Sequence, residues 1–277
     1  MAPLPFYIAG GVLTDYLLGT FLWVVFWGVV GANLGSFANV CIYRVPRGKS
    51  VVLPRSRCPR CHGAILWFQN IPIVSYALLG GRCFHCQKPI PKRYPIIEFI
   101  MAVMIALVFF RSAPGPSLVL GVFITFVLVV ISFVDSDWKI IPDFFSMGLI
   151  GVGLVVSPLN SLLGGDGTAR VLSSMKGCLV GFGSAWLLAV AGRRFFRREA
   201  LGGGDVKLLA GLGTFLGWPG VFTSWFLASI LGTLFFVSLK VRGKMNWGAY
   251  LPFGPFLAAG AWAHWVWPTF FLRCWGF

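Results

Sequence analysis

The sequence predicts an all-α polytopic membrane protein of about eight transmembrane helices, with a small cytoplasmic loop domain between the first and the second. Three observations carry that reading. Hydrophobic residues make up 57% of the 277 and charged residues 11%, against about 45–50% and about 25% in a typical globular chain. Apolar runs long enough for membrane spans recur along the whole length. One connection, residues 44–94, is far longer than the rest and carries two Cys-x-x-Cys pairs.

A span needs roughly 17–25 predominantly apolar residues. Eight segments qualify, at about 19–43, 95–111, 116–135, 144–160, 171–191, 206–217, 219–239 and 252–270. The sixth is the shortest, because Gly217-Trp218-Pro219-Gly220 reads as a turn. It spans only by borrowing Gly202–Asp205 or by lying where the bilayer is thin. No Lys or Arg precedes Arg44, so the basic start of a cleavable signal peptide is missing and the first apolar segment is expected to stay.

Basic residues set the orientation. The connections 44–94, 136–143, 192–204 and 240–250 hold 18 of the 23 Lys and Arg, whereas the opposite face has only Arg111, Arg170, Lys176 and Arg273. Positive loops face the cytoplasm, so these four connections are expected inside and both termini outside. The formal charge of +15 is concentrated in short connections, with no basic helix alternating with exposed aromatics, which excludes nucleic acid as a partner. The 27 Phe and 12 Trp suit lipid-facing and interfacial positions instead. The expected organisation is a first helix over 1–43, a cytoplasmic loop domain over 44–94 and a membrane domain over 95–277.

The loop domain has 10 basic and no acidic residues, and its size gives little core to fold around. Cys58-Pro59-Arg60-Cys61 and Cys83-Phe84-His85-Cys86, with 21 residues between them, match a tetrahedral four-cysteine structural zinc site whose binding energy would fold the loop. Disulfides or idle cysteines are the alternative, and a cytoplasmic position disfavours disulfides. His62 and His85 flank the pairs as substitute ligands, although four Cys already complete the shell. Cys41, Cys178 and Cys274 lie in or beside spans and read as small packing residues.

Ionisable groups at membrane depth are functional candidates. Of the eight acids, Asp15, Asp166 and Glu199 fall in connections and read as solvated. Asp135 closes the apolar run Val127–Val134, and Asp205 follows three glycines and opens the sixth span, so both are expected at the cytoplasmic ends of spans and at similar depth. Two carboxyl groups that meet there would share one proton, the arrangement with which an aspartic protease activates water. The glycines would let the backbone approach closely or adopt positive φ. The opposing reading makes Asp205 a helix cap and Asp135 a solvated loop residue.

Asp137 competes with Asp135 for the first catalytic position. Asp143, directly after Pro142, reads as an N-cap. Glu98 sits in a first helical turn, where the dipole favours an anion, and is open to a structural role or a substrate contact. Lys207 either tunes a nearby carboxylate or snorkels to the interface.

Taken together, these blocks resemble the bacterial prepilin peptidases of type IV pilus and type II secretion systems, GxGD aspartic proteases. The resemblance covers nearly the whole chain. It includes Gly35-Ser36-Phe37-Ala38-Asn39-Val40 with Tyr43-Arg44, the paired Cys motifs, Asn70-Ile71-Pro72 with Ser75-Tyr76, and Arg93-Tyr94-Pro95 with Glu98. It continues through Asp135-Ser136-Asp137, Ile141-Pro142-Asp143, Gly202-Gly203-Gly204-Asp205-Val206-Lys207 and Pro252-Phe253-Gly254-Pro255.

The resemblance implies a bifunctional enzyme of the bacterial inner membrane. It would cleave the short basic leader from prepilin and pseudopilin precursors and then methylate the new α-amine with S-adenosylmethionine. The family's catalytic pair falls here on Asp135 and Asp205. No Gly-rich nucleotide fingerprint is present, so the donor site rests on the resemblance alone; all four loop cysteines are kept, which favours the bifunctional type. Two other readings compete: a GxGD intramembrane protease acting on other substrates, and a non-enzymatic membrane subunit of a secretion machine.

Overall fold

Apolar stretches that must satisfy every backbone polar group internally become helices. In a computed structural model describing residues 10–112, 114–196, 201–244 and 251–276, helices α1 (Gly10–Arg44), α2 (Val74–Leu78), α3 (Arg93–Arg111), α4 (Pro116–Trp138), α5 (Asp143–Val156), α6 (Gly167–Phe196), α7 (Gly203–Val241), α8 (Gly254–Val266) and α9 (Pro268–Cys274) follow in order. Among the described residues the only strand pairing is two isolated bridges, Arg57 with Ala64 and Arg82 with Pro89.

Among the described residues, five helices are long and apolar enough to cross a membrane: Leu18–Arg47, Arg93–Arg111, Pro116–Trp138, Gly167–Phe195 and Gly203–Val241. The expected fourth span is shorter, an apolar stretch over Asp143–Leu159. The expected eighth contains the 13-residue α8. Glu199 lies outside the described residues.

The expected sixth and seventh spans form one helical stretch, α7, broken at Gly217, which has φ 66° and ψ −179°. The packing shows that the chain reverses there. Along α6, Gly181 abuts Leu209 and Gly177 abuts Gly213, while Ser174 donates to the Thr214 carbonyl at 2.8 Å. Residues 203–216 therefore run antiparallel to α6. Beyond Gly217 the order inverts, because Trp225 Nε1 donates to Ser184 Oγ at 3.2 Å. A straight helix would carry Trp225 away from Ser184. The turn expected from Gly217 and Pro219 is thus a helical hairpin corner.

The chain divides into two compact units, one of residues up to Ser36 with Arg57–Phe110, the other of Phe37–Ser56 with Arg111–Phe277. In the first, α1 lies so close to α3 that a Cβ on Gly31 would stand 2.6 Å from the Met101 carbonyl, and one on Gly35 2.6 Å from Glu98 Cα. Small residues permit that approach. Trp27 stacks on Phe109 at 5.8 Å.

In the second unit α7 packs against α5, α6 and α8, and α8 packs against α4. The first half of α7 runs parallel to α5: Gly204 meets Ile141, Gly211 meets Leu149 and Gly153 meets Thr214. The second half runs antiparallel to α8, Gly220 beside His264 and Gly260 beside Ser224. The end of α4 and the starts of α5, α7 and α8 consequently gather at one end of this unit. At the opposite end Asp166 caps α6, accepting from Thr168 Oγ1 and the Ala169 N–H at 2.8 Å each. Those donors hold its carboxyl below the usual range. Expected to be merely solvated, Asp166 is an exposed N-cap.

Candidate functional site

Asp135 occupies the last turn of α4, which closes where Lys139 adopts φ 56° and donates its N–H to the Asp135 carbonyl at 2.8 Å. Asp205 occupies the first turn of α7 behind the extended Gly202. The two side chains are 3% and 5% exposed, and they lie close enough to interact electrostatically. Asp137, two residues on, is exposed. Helical periodicity turns Asp137 about 200° away from Asp135 on α4, so burial separates the two competitors.

Asp135 Oδ2 accepts the main-chain N–H of Gly254 at 2.9 Å. A Cβ on Gly254 would stand 2.7 Å from that oxygen, so glycine is what allows the contact. Gly254 is the first residue of α8, where Phe253 offers no side-chain acceptor and Pro255 has no N–H to offer. Asp135 thereby caps α8 from another helix. Asp205 Oδ1 is buried and has no hydrogen-bond partner.

None of Gly202, Gly203 and Gly204 adopts the positive φ that the sequence allowed. Close approach is the property in use: a Cβ on Gly204 would stand 3.0 Å from Ile141 Cβ, the residue that leads into α5. Asp143 is not the N-cap expected of it: Pro142 occupies that position and Asp143 is the first residue of α5. It pairs instead with Lys207, Nζ to Oδ1 2.7 Å, with Lys207 40% and Asp143 68% exposed.

In the other unit, Glu98 turns out to hold backbone. Its Oε2 accepts the Ile73 N–H at 2.8 Å, and it also bonds the Ser36 side chain. Ile73 has φ 64° and ψ −50°, and Val74 N–H reaches the Pro72 carbonyl at 2.6 Å, a γ-turn of the strained kind. A β-branched residue at positive φ persists only where its surroundings impose it, and buried Glu98 supplies one such restraint.

The four loop cysteines meet. Cys58, Cys61, Cys83 and Cys86 place their sulfurs within 4.8 Å of one another, with Cys58 and Cys86 Sγ atoms 4.0 Å apart. A tetrahedron with metal–sulfur bonds of about 2.3 Å has edges of about 3.8 Å, so the donor set fits a four-coordinate metal ion. The two knuckles are built alike. In each, a first-cysteine carbonyl accepts the N–H of a left-handed residue, His62 with φ 57° or Gln87 with φ 56°, at 2.9 Å. The first-cysteine N–H in turn donates to Gly63 O at 3.0 Å or Lys88 O at 2.9 Å. This short repeat escapes a sequence search because the knuckles share only their cysteines.

Burial works against a Cys58 thiolate, but N–H groups of Cys61 and Arg60 with the Cys83 and Cys61 thiols outweigh it and bring it down to about 6. Cys61 is favoured as thiolate by the Gly63 N–H, yet desolvation and the three neighbouring sulfurs push it up to about 11. Like charges so close cannot all ionise without a cation. Neither His62 nor His85 joins the sulfur cluster; His85 Nε2 lies 3.3 Å from the Ala64 carbonyl. Cys41 is buried and Cys274 exposed, so only the former is a packing residue.

The family model for the bacterial peptidase A24 N-terminal domain matches residues 29–112, and that of the type IV leader peptidase family matches residues 122–237. A prepilin leader peptidase/N-methyltransferase of Aeromonas salmonicida (strain A449) is 32% identical over 84% of this chain and 87% of its own length. One of Neisseria gonorrhoeae is 33% identical over the same shares, 84% and 87%. One of Pseudomonas aeruginosa is 31% identical over 92% of this chain and 94% of its own. No solved structure matches the chain.

Proposed function

Because the chain belongs to the type IV leader peptidase family, we propose that it removes the leader from prepilin and pseudopilin precursors and N-methylates the residue so exposed, as a multi-pass protein of the bacterial inner membrane. The observation that carries the peptidase reading is the pair of buried carboxyl groups, Asp135 and Asp205, brought together from helix ends 70 residues apart in sequence. In this reading they are the catalytic residues. One takes a proton from water as it attacks the scissile carbonyl, and the other donates to the carbonyl oxygen.

Eight crossings put this pair at the cytoplasmic side, where a basic leader remains when a prepilin inserts by its apolar segment. The supporting facts are the 18 basic residues of four connections and the alternating direction of α4, α5, α6, the two halves of α7 and α8. The first helix over 1–43 and the loop domain over 44–94 precede a peptidase domain over 95–277.

Zinc is the ion inferred for Cys58, Cys61, Cys83 and Cys86, since four thiolates in a tetrahedron suit it and such a site folds a loop that lacks a core. Methyl transfer draws on S-adenosylmethionine, which supplies an electrophilic methyl group to the uncharged amine. Incubating the purified protein with a model prepilin and S-adenosylmethionine tests the reading: leader release and methylation of the product are expected, and an intact prepilin would overturn it.

A further inference from the structure

Two aspartates that work as a pair must differ, one carboxylate and one acid, and a symmetric environment would leave the choice open. The environment here is not symmetric. Asp135, at the end of α4, receives the Gly254 N–H at 2.9 Å, a direct donor that stabilises its carboxylate form. Asp205, 5% exposed, opens α7 and has the Gly202 backbone against its carboxyl group, but its Oδ1 is buried with no donor, so a negative charge on that oxygen is uncompensated, whereas a carboxylic acid needs no donor there.

The other charges at this end do not reverse the bias. On α7, Lys207 is spent on Asp143 of α5 in an exposed ion pair, and at the far end of that helix Lys240 is half-buried and Arg242 exposed, while α6 ends on exposed Arg193 and Arg194. On α4, Asp137 and Lys139 are both exposed and of opposite sign. The described part of α8 brings no charged side chain to this end, only backbone.

Resting on the reading of Asp135 and Asp205 as the catalytic pair, we propose that the Gly254 main-chain amide is the positioning group that makes Asp135 the proton acceptor and leaves the shared proton on Asp205. Water then adds to the scissile carbonyl carbon as one of its protons passes to Asp135, while Asp205 gives its proton to the carbonyl oxygen. A geminal diol results, with Asp135 protonated and Asp205 ionised. On collapse, the Asp135 proton goes to the leaving nitrogen, the carbon–nitrogen bond breaks and a diol hydroxyl returns its proton to Asp205. Acid and amine leave, and the pair is restored.

Glycine is specified at 254 because any Cβ would stand 2.7 Å from Oδ2 and 3.2 Å from Cγ of Asp135. Gly254→Ala should therefore lower kcat by about 10- to 100-fold, the loss expected for one hydrogen bond to a charged group, with KM little changed. Cleavage at the wild-type rate would overturn the proposal.

Infrared spectra of the full-length protein carrying carboxyl-13C aspartate locate the proton without reference to activity. The isotope-shifted stretch of a protonated carboxyl is expected at neutral pH in the wild type and in Asp135→Asn, and should be missing from Asp205→Asn. Any other pattern overturns the assignment, even if Gly254→Ala fails to fold. Were both Asn variants to cleave normally, the aspartic reading itself would fall, whatever the spectra.

Discussion

Asn160 donates its side-chain amide to the main-chain carbonyl of Phe215 at 2.7 Å. That carbonyl is four residues before Pro219, which has no N–H to return to it, so α7 would carry an orphaned buried acceptor without Asn160. Ser174 treats the neighbouring Thr214 carbonyl the same way. Side chains of preceding segments thus stabilise the corner at Gly217.

Asn160 is 1% exposed, so replacing it by Leu leaves the Phe215 carbonyl unmet in a dry place. The expected loss is about 1–3 kcal/mol, seen as a lower apparent melting temperature in detergent. An unchanged melting temperature would show that the carbonyl finds another donor.

Asp135→Asn and Asp205→Asn should each abolish prepilin cleavage while the protein still inserts, and the double variant should be no worse than either, because the pair works as a unit. Asp137→Asn should cleave normally, since Asp137 is exposed and turned away from the buried pair on α4. A dead Asp137→Asn beside an active Asp135→Asn would move the first position to Asp137.

Metal analysis should find one zinc per chain, lost on Cys58→Ser. Uptake at neutral pH should release protons, because Cys61 must surrender one well below its value of about 11, whereas Cys58, at about 6, is already mostly ionised. Acid competes for the same sulfurs, so retention in a chelator titration should weaken as pH falls through 6 and strengthen above it. Metal binding that ignores pH would exclude thiolate ligands.

The Lys207–Asp143 pair is largely exposed, which limits its worth to about 0.2–1 kcal/mol. Asp143→Asn and Lys207→Ala should keep most cleavage activity, and raising the salt concentration should erase their small difference in stability from wild type. A large kcat loss in either variant would place the pair in the chemistry.

Depth, spacing and turn chemistry are one-dimensional properties, and they make the helix order, the cysteine cluster, the Gly217 corner and the candidacy of Asp135 and Asp205 legible in the sequence. Contacts made by backbone are not. Gly254 meets Asp135 across 119 residues through an N–H that every residue but proline possesses, and no side-chain pattern announces it. A hint exists: α8 opens at Phe253 without a capping side chain, so some acceptor has to come from elsewhere. Ile73 is illegible for the opposite reason, since a β-branched residue argues against the positive φ it adopts. Asp143 misleads because an N-cap signal and a cross-helix ion pair use the same residue type, and only the position of Lys207 decides between them.

The reversal at Gly217 has a consequence for the end of the chain. As one straight rod, the 39 residues of α7 would extend about 58 Å, nearly twice the hydrocarbon core of a bilayer. The following helix would then set out from the far side, and Asp135 would face no amide from it. Folded back, the chain returns Pro252 and Gly254 to the side from which Asp205 departed. One backbone torsion on one residue therefore determines on which shore the last fifth of the protein lands.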